Sequence, residues 1–573
     1  MTVYPQTFVR SSFWRYATHF FLITGLAFAL HLIFSPLGYN PTDDGFNLAY
    51  TRRLLEGEIP HRDFISIRPV GSPLFHLLFL PLGGDFTYLF TRGIVTLQIV
   101  IFTWLWIQIL KKNFSLSLSL PHEAFLLTIA TLCGLPCPLY AWYTTDGIFF
   151  GTLGVALCTF FPRFNFWGYF LIGYSVLCKQ NFVFFALGAP FLLGDSKKTS
   201  TWLGGVLPSV LYLAYLACFQ GLSDFFLQVR SHTSFLDVAT KPYIHWTFVF
   251  PFFVGLSIPL VLRYFGKSRD FLFNGLVLIL ILVCSASVFI GKIRSAPTAC
   301  FGLSIGFLMG ALLDREKQSA LIRAGSILVL LNWAGAISIS GPFPHHSWGT
   351  LIIFLFLAAE KGFSFARHTA LTTCLVLSGA IALSAIVYGR LYYLGEREKT
   401  AWDCVYPLDG FFPGGKGIRT NGKTHAFLVD LNLALEKVKG SKYSILPDCP
   451  GYWVKSEQRN PLPMDWVQRL EIFHPLLIER VKQSFLAERE KKTKFLIQKV
   501  HVHNLGGPER LSIPSPEALR LVDVELDFGL NEFVHYRFDE NLDPRYGGYY
   551  GLTLYVIDHF TKVDETQFFE IYE

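Results

Sequence analysis

The chain has 573 residues, 52% of them hydrophobic, 16% aromatic and 16% charged. Soluble domains carry about a quarter charged residues, so this composition, with a mean hydropathy of +0.40, excludes an ordinary soluble domain and points to a membrane protein. The formal charge of +7 does not arise from one basic patch, which argues against a nucleic-acid partner.

The first apolar run, Phe13 to Phe34, is long enough to cross a bilayer and is followed by no small-residue cleavage site, so it reads as a signal anchor. Further runs lie near 92–110, 123–140, 147–162, 165–178, 181–194, 203–219, 245–262, 271–290, 297–313, 320–339, 347–359 and 369–391. Together they predict an all-α polytopic bundle of about thirteen transmembrane helices. Basic residues fall in alternate connections: Arg10 and Arg15; Lys111 and Lys112; Arg163; Lys197 and Lys198; Arg263, Lys267 and Arg269; Arg315, Lys317 and Arg323; Lys361 and Arg367. The positive-inside rule then places the N-terminus in the cytoplasm, and an odd number of spans places the C-terminal region outside the cell (inner) membrane.

Charges expected on the outer side are few: the segment 40–64, Asp146, Lys179, Arg230, Lys241, Lys292 and Arg294. Ionisable residues at the edge of a membrane bundle are costly unless paired or functional, which makes these site candidates, with interfacial snorkelling as the competing explanation.

From about residue 395 the chain turns polar. A helix at 424–438, a strand at 442–446, helices within 465–489, a strand at 494–500 and alternating stretches at 521–526 and 551–557 predict a small α/β domain. The expected organisation is a transmembrane domain over 1–394, with a first outer loop at 37–91, and an extracytoplasmic domain over 395–573. That domain holds no phosphate loop and no metal-ligand spacing, and His501 and His503 read as surface residues. Cys133 and Cys137 lie one helical turn apart with no third ligand nearby. Cys404 and Cys449 can pair as a disulfide if their region is outside.

The densest signal is 40-NPTDDGFNLAYTRRLLEGEIPHRDF-64. Thr42 or Asp43 can cap a helix from Asp44 to about Glu56, stopped by Gly57. Phe46, Ala49, Tyr50 and Leu54 share one face, so a short amphipathic helix lying on the outer membrane surface is expected. One cap residue suffices, and the second carboxylate is left unexplained.

Asp43, Asp44, Gly45, Leu54, Leu55, Gly57, Pro60, Asp63, Phe64, Arg68 and Pro69 follow, in that order, the first-loop pattern of the GT-C superfamily, which this chain resembles. The nearest likeness is to bacterial enzymes similar to dolichyl-phosphate-mannose–protein mannosyltransferases and to the lipid A aminoarabinose transferase. The stretch YTTDGIFFGTLGVAL at 143–157, centred on Asp146, resembles the second acidic motif. GYSVLCKQNFVFF at 173–185, carrying Lys179 and Gln180, resembles a later segment, and GPFPHHSW at 341–348, with His345 and His346, resembles the entry to a late span. Two departures are the acidic pair, Asp-Asp where Asp-Glu is frequent, and Pro69-Val70 where two prolines are frequent.

The resemblance implies a glycosyltransferase that takes a sugar from a polyprenyl-phosphate donor at the outer leaflet and passes it, with inversion, to a lipid, glycan or protein acceptor. In that reading Asp43 is the base for the acceptor hydroxyl, and Asp44 and Asp146 complete the acidic set. Lys179, Gln180, Lys292, Arg294, His345 and His346 hold the departing phosphate. Arg68, with Arg52 or Arg53, reaches the phosphate or pairs with Asp63. A divalent cation serves some relatives and not others, and nothing in this sequence demands one. A transporter or flippase is the first rival, and a lipid-linked glycan ligase or polymerase the second. Charges at span ends, an acidic first loop and no repeat of two halves weigh against both.

Overall fold

The computed structural model describes residues 6–134, 139–230, 239–265, 295–313, 319–337, 346–363, 404–447, 449–467, 472, 474–499 and 551–573. The expected spans at 271–290 and 369–391, the stretch at 521–526, and Lys292, Arg294 and His345 lie outside the described residues.

The helices run in chain order as α1 (Gln6–Phe34), α2 (Asp43–Leu55), α3 (Gly71–His76), α4 (Thr87–Phe114), α5 (Leu120–Gly134), α6 (Tyr143–Phe160) and α7 (Asn165–Cys178). They continue as α8 (Val183–Leu193), α9 (Thr199–Cys218), α10 (Leu222–Arg230), α11 (Trp246–Phe265), α12 (Ser295–Leu313), α13 (Ser319–Ala336) and α14 (Trp348–Phe363). Among the described residues three helical stretches are long and apolar enough to cross a membrane: Ala17–Phe34, Leu80–Phe114 and Thr199–Cys218. Several other apolar helices are shorter; α7 has 14 residues and α8 has 11, below the roughly 20 that span a hydrocarbon core.

α4, α5, α6, α13 and α14 contribute to one continuous apolar core that includes Trp106, Ile107, Leu127, Leu328 and Phe354. α11 and α12 pack closely because Gly302, Gly306 and Gly310 recur every four residues. A Cβ on Gly306 would lie 2.0 Å from the Phe252 carbonyl oxygen, so only glycine lets the two backbones meet.

The C-terminal unit carries a small hairpin, β1 (Tyr406–Pro407) with β2 (Arg419–Thr420), and a four-stranded sheet. Its strands are β3 (Tyr443–Leu446), β4 (Lys494–Gln498), β5 (Lys562–Glu565) and β6 (Phe569–Tyr572), in the order β3-β4-β6-β5. β3 and β4 are parallel and β6 is antiparallel to both its neighbours. Its helices are α15 (Gly422–Lys437), α16 (Pro450–Trp453), α17 (Pro475–Glu490) and α18 (Gly551–His559). Strand alternation sorts the two faces: Ile445, Leu496 and Ile571 pack with Phe427 and Leu431 of α15. Leu446, Phe495, Ile497 and Tyr572 pack with Val481 and Phe485 of α17 and Val556 of α18. Residues 551–557, read from the sequence as an alternating stretch, are helical. Leu552, Val556 and Phe560 are its buried positions, a spacing of four that outweighs the shorter alternation. Cys404 and Cys449 are buried thiols.

The expected surface helix is corrected by its surroundings. In α2, every residue from Asp44 to Thr51 is buried, as is Arg53, because the helix is clamped between the bundle and the C-terminal unit. Backbone hydrogen bonds stitch the unit to the first loop: Gly38 N to Arg419 O at 2.8 Å, Gly451 N to Pro41 O at 2.8 Å, and Ile65 N to Pro463 O at 2.7 Å. Tyr39, Leu48, Ala49 and Tyr88 share one apolar cluster with Phe412, Tyr452 and Trp453.

Candidate functional site

Four candidates converge on the start of α6, residues 140–146, reading YAWYTTD. Trp142, in extended conformation, is the N-cap residue of α6, so side chains on either side of it splay towards different neighbours. The Tyr140 hydroxyl donates to Asp43 Oδ2 at 3.0 Å, and Asn40 Nδ2 donates to the same oxygen at 2.9 Å. Asp43 is half-buried at the first turn of α2, where the helix dipole favours a carboxylate. The Arg68 guanidinium lies over the rings of Tyr143, at 5.1 Å, and Phe46, at 5.6 Å. Lys179 Nζ donates to Thr144 Oγ1 at 3.1 Å and to the Gly335 carbonyl at 3.5 Å. His346 Nδ1 and Thr145 Oγ1 share a hydrogen bond at 3.1 Å.

Lys179 stands in the short connection between α7 and α8, outside both helices. It is buried, and among the described residues it has no carboxylate partner. Burial, and then the nearby positive charge of Arg68, push its pKa down to about 7. Its neighbour Gln180 donates to the Ile67 carbonyl at 3.2 Å, while Gln180 Oε1 is buried with no partner among the described residues.

Asp146, the last residue of this turn, is fully buried. It accepts from Ser72 Oγ, from His76 Nε2 at 3.1 Å and from Gln98 Nε2 at 2.8 Å, and Ser72 in turn accepts from Asn47 Nδ2 at 2.7 Å. These contacts tie α2, α3, α4 and α6 together at one point. No face of Asp146 is open to solvent, and its contacts hold the turn in place.

Asp44, the neighbour of Asp43, is held by a different partner. Arg92 grips both its carboxylate oxygens at 2.8 Å and also donates to the carbonyls of Ser35, Leu37 and Gly38, so the pair locks the end of α1 to α2 and α4. Asp44 Oδ2 also accepts from the Asn40 backbone N–H at 2.8 Å.

Arg52 and Arg53 face the C-terminal unit, not the α6 turn. Arg52 donates to the Trp453 carbonyl at 2.6 Å and to Ser456 Oγ at 2.8 Å. Arg53 forms a buried bidentate pair with Asp465, at 2.7 and 2.8 Å, and meets Glu58 at 2.9 Å. The expected pairing of these arginines with Asp63 is replaced by Arg62, which lies 2.8 Å from Asp63 and holds that carboxyl below its usual range.

Sequence reasoning missed Arg92, Ser72, His76, Gln98 and Tyr140. A signal existed for two of them: Arg92 and Gln98 are polar residues inside an otherwise apolar run, which marks buried pairing. Among the described residues no three His, Cys, Asp or Glu side chains gather as a metal site. No protein-family model, curated protein or solved structure matches this chain, so its function is argued from the site itself.

Proposed function

We propose that this chain is an integral-membrane glycosyltransferase that moves a sugar from a polyprenyl-phosphate donor to an acceptor hydroxyl. The observation that carries the reading is the single turn at 140–146. It contacts the half-buried carboxylate of Asp43 through Tyr140, and the cations Arg68 and Lys179 through Tyr143 and Thr144. Direct transfer needs both charges close together. A base takes the proton of the acceptor hydroxyl as its oxygen forms a bond to C1 of the sugar; the bond from C1 to the phosphate oxygen breaks, and the negative charge stays on the lipid phosphate.

Asp43 is the base in this mechanism, kept in place by Asn40 and Tyr140. Lys179 and Arg68 receive the phosphate, aided by the start of α6, whose dipole favours an anion. Gln180 and His346 flank them. Asp146 holds the turn on which all of these depend. The orientation drawn from the basic connections puts this end of the bundle at the outer leaflet.

The test uses the full-length chain in lipid nanodiscs with a panel of polyprenyl-phosphate sugars. Wild type is expected to consume at least one donor, and Asp43→Asn is expected to bind it without transfer. Absence of consumption across donors and acceptors, or full activity in Asp43→Asn, overturns the reading.

A further inference from the structure

In a single displacement the transferred ring must sit between the base and the cations that hold the phosphate. In the turn, Trp142 stands between the residue that meets the base and the one that meets a cation. Two residues before it, Tyr140 holds Asp43; the residue after it, Tyr143, lies beneath Arg68. The Trp142 ring centroid is 5.3 Å from that of Tyr140 and 6.2 Å from that of Tyr143. Trp142 is only half-buried, although its neighbours Ala141 and Tyr143 are buried. The aromatic surface continues into the C-terminal unit: Phe46 lies 6.2 Å from Trp142 and 4.8 Å from Trp466, in centroid distance. Trp466 is also half-buried, is fixed by the adjacent Asp465–Arg53 pair, and has an indole N–H that is buried without an acceptor among the described residues.

We infer that Trp142, joined by Trp466 of the C-terminal unit, is the aromatic platform on which the sugar ring of the donor lies, an inference that rests on the glycosyltransferase reading above. The C–H face of a sugar is apolar and weakly positive, which suits the negative face of an indole. Both indoles pack at the edge of one apolar cluster and keep part of their surface exposed. The C-terminal unit thereby contributes to recognition of the sugar.

The experiment compares the affinity of the full-length chain in nanodiscs for bare undecaprenyl phosphate with its affinity for the same lipid carrying mannose, glucose or 4-aminoarabinose. At least one glycosylated lipid is expected to bind about tenfold tighter than the bare phosphate, the size of a good aromatic contact. Trp142→Ala and Trp466→Ala are expected to remove most of that increment while bare-lipid affinity stays within about twofold, and Trp142→Phe to keep most of it. Retained bare-lipid binding also reports that each variant is folded. If every glycosylated lipid binds like the bare one, or both alanine variants keep the increment, the platform is overturned while the phosphate site stands. If wild type does not bind bare undecaprenyl phosphate, the glycosyltransferase reading falls, and the platform with it.

Discussion

Gly45 and Gly451 meet backbone to backbone: a Cβ on Gly45 would lie 2.1 Å from the Gly451 Cα. The glycine after the two aspartates in the first loop is thus the point where the C-terminal unit closes on α2. Gly45→Ala forces that joint apart, and overpacking of this kind costs about 1–3 kcal/mol or more. The expected outcome is a lower melting temperature and faster tryptic release of the C-terminal fragment. Gly25→Ala, where nothing lies within 4 Å of the added carbon, serves as the neutral control.

Loss of the proposed base is expected to lower transfer by about 10²–10⁴-fold in Asp43→Asn, with donor affinity unchanged. Tyr140→Phe removes one hydrogen bond that positions the carboxylate and keeps the carboxylate itself, so a drop of roughly fivefold is expected, the worth of about 1 kcal/mol. Equal losses in the two variants would show that Asp43 acts only as a structural partner of Tyr140. Single-turnover rates measured at saturating donor separate these outcomes.

Lys179 sets a pH limit. With its pKa pushed down to about 7, the ammonium is present below that pH and is lost as pH rises through it. Affinity for bare undecaprenyl phosphate is therefore expected to fall on the alkaline side of about pH 7, and the bound anion itself pulls the limb somewhat higher. Lys179→Arg keeps its charge throughout and is expected to flatten the limb, whereas Lys179→Gln is weak at every pH. Binding isotherms between pH 6 and pH 9 read this directly.

The Asp44–Arg92 pair distinguishes structure from chemistry within one dipeptide. Breaking a buried ion pair from one side costs about 3–5 kcal/mol, so Arg92→Ala and Asp44→Asn are both expected to be strongly destabilised. Whatever fraction of Asp44→Asn folds at low temperature is expected to retain its activity per folded molecule. Activity absent from a well-folded Asp44→Asn would return that residue to the catalytic set.

Much of the polar chemistry was visible in one dimension because charges are rare in this chain and each had to be explained. Asp43 and Lys179 are candidates on charge and position, Arg68 and His346 through the family resemblance, and each meets a residue of the turn at 140–146. Which of the other charges were structural was not visible. Asp43 and Asp44 are chemically identical neighbours, yet successive residues of a helix point about 100° apart. One faces Tyr140 and the other faces Arg92, and a sequence does not state what stands opposite.

The sequence by itself determined the membrane-helix character, the α2 helix, the polar C-terminal unit with most of its early elements, and a short roster of ionisable candidates. Composition and periodicity fix those properties, and both are local. Only the tertiary structure decided that Arg52 and Arg53 serve the C-terminal unit, that Asp146 in the first turn of α6 is sealed in the interior, and that α2 is clamped rather than lying on a surface. Each of these depends on contacts between residues tens to hundreds of positions apart: Arg53 with Asp465, Asp146 with His76, Gly45 with Gly451. A buried charge keeps its partner through desolvation and geometry, and that partner is set by the packing of whole elements.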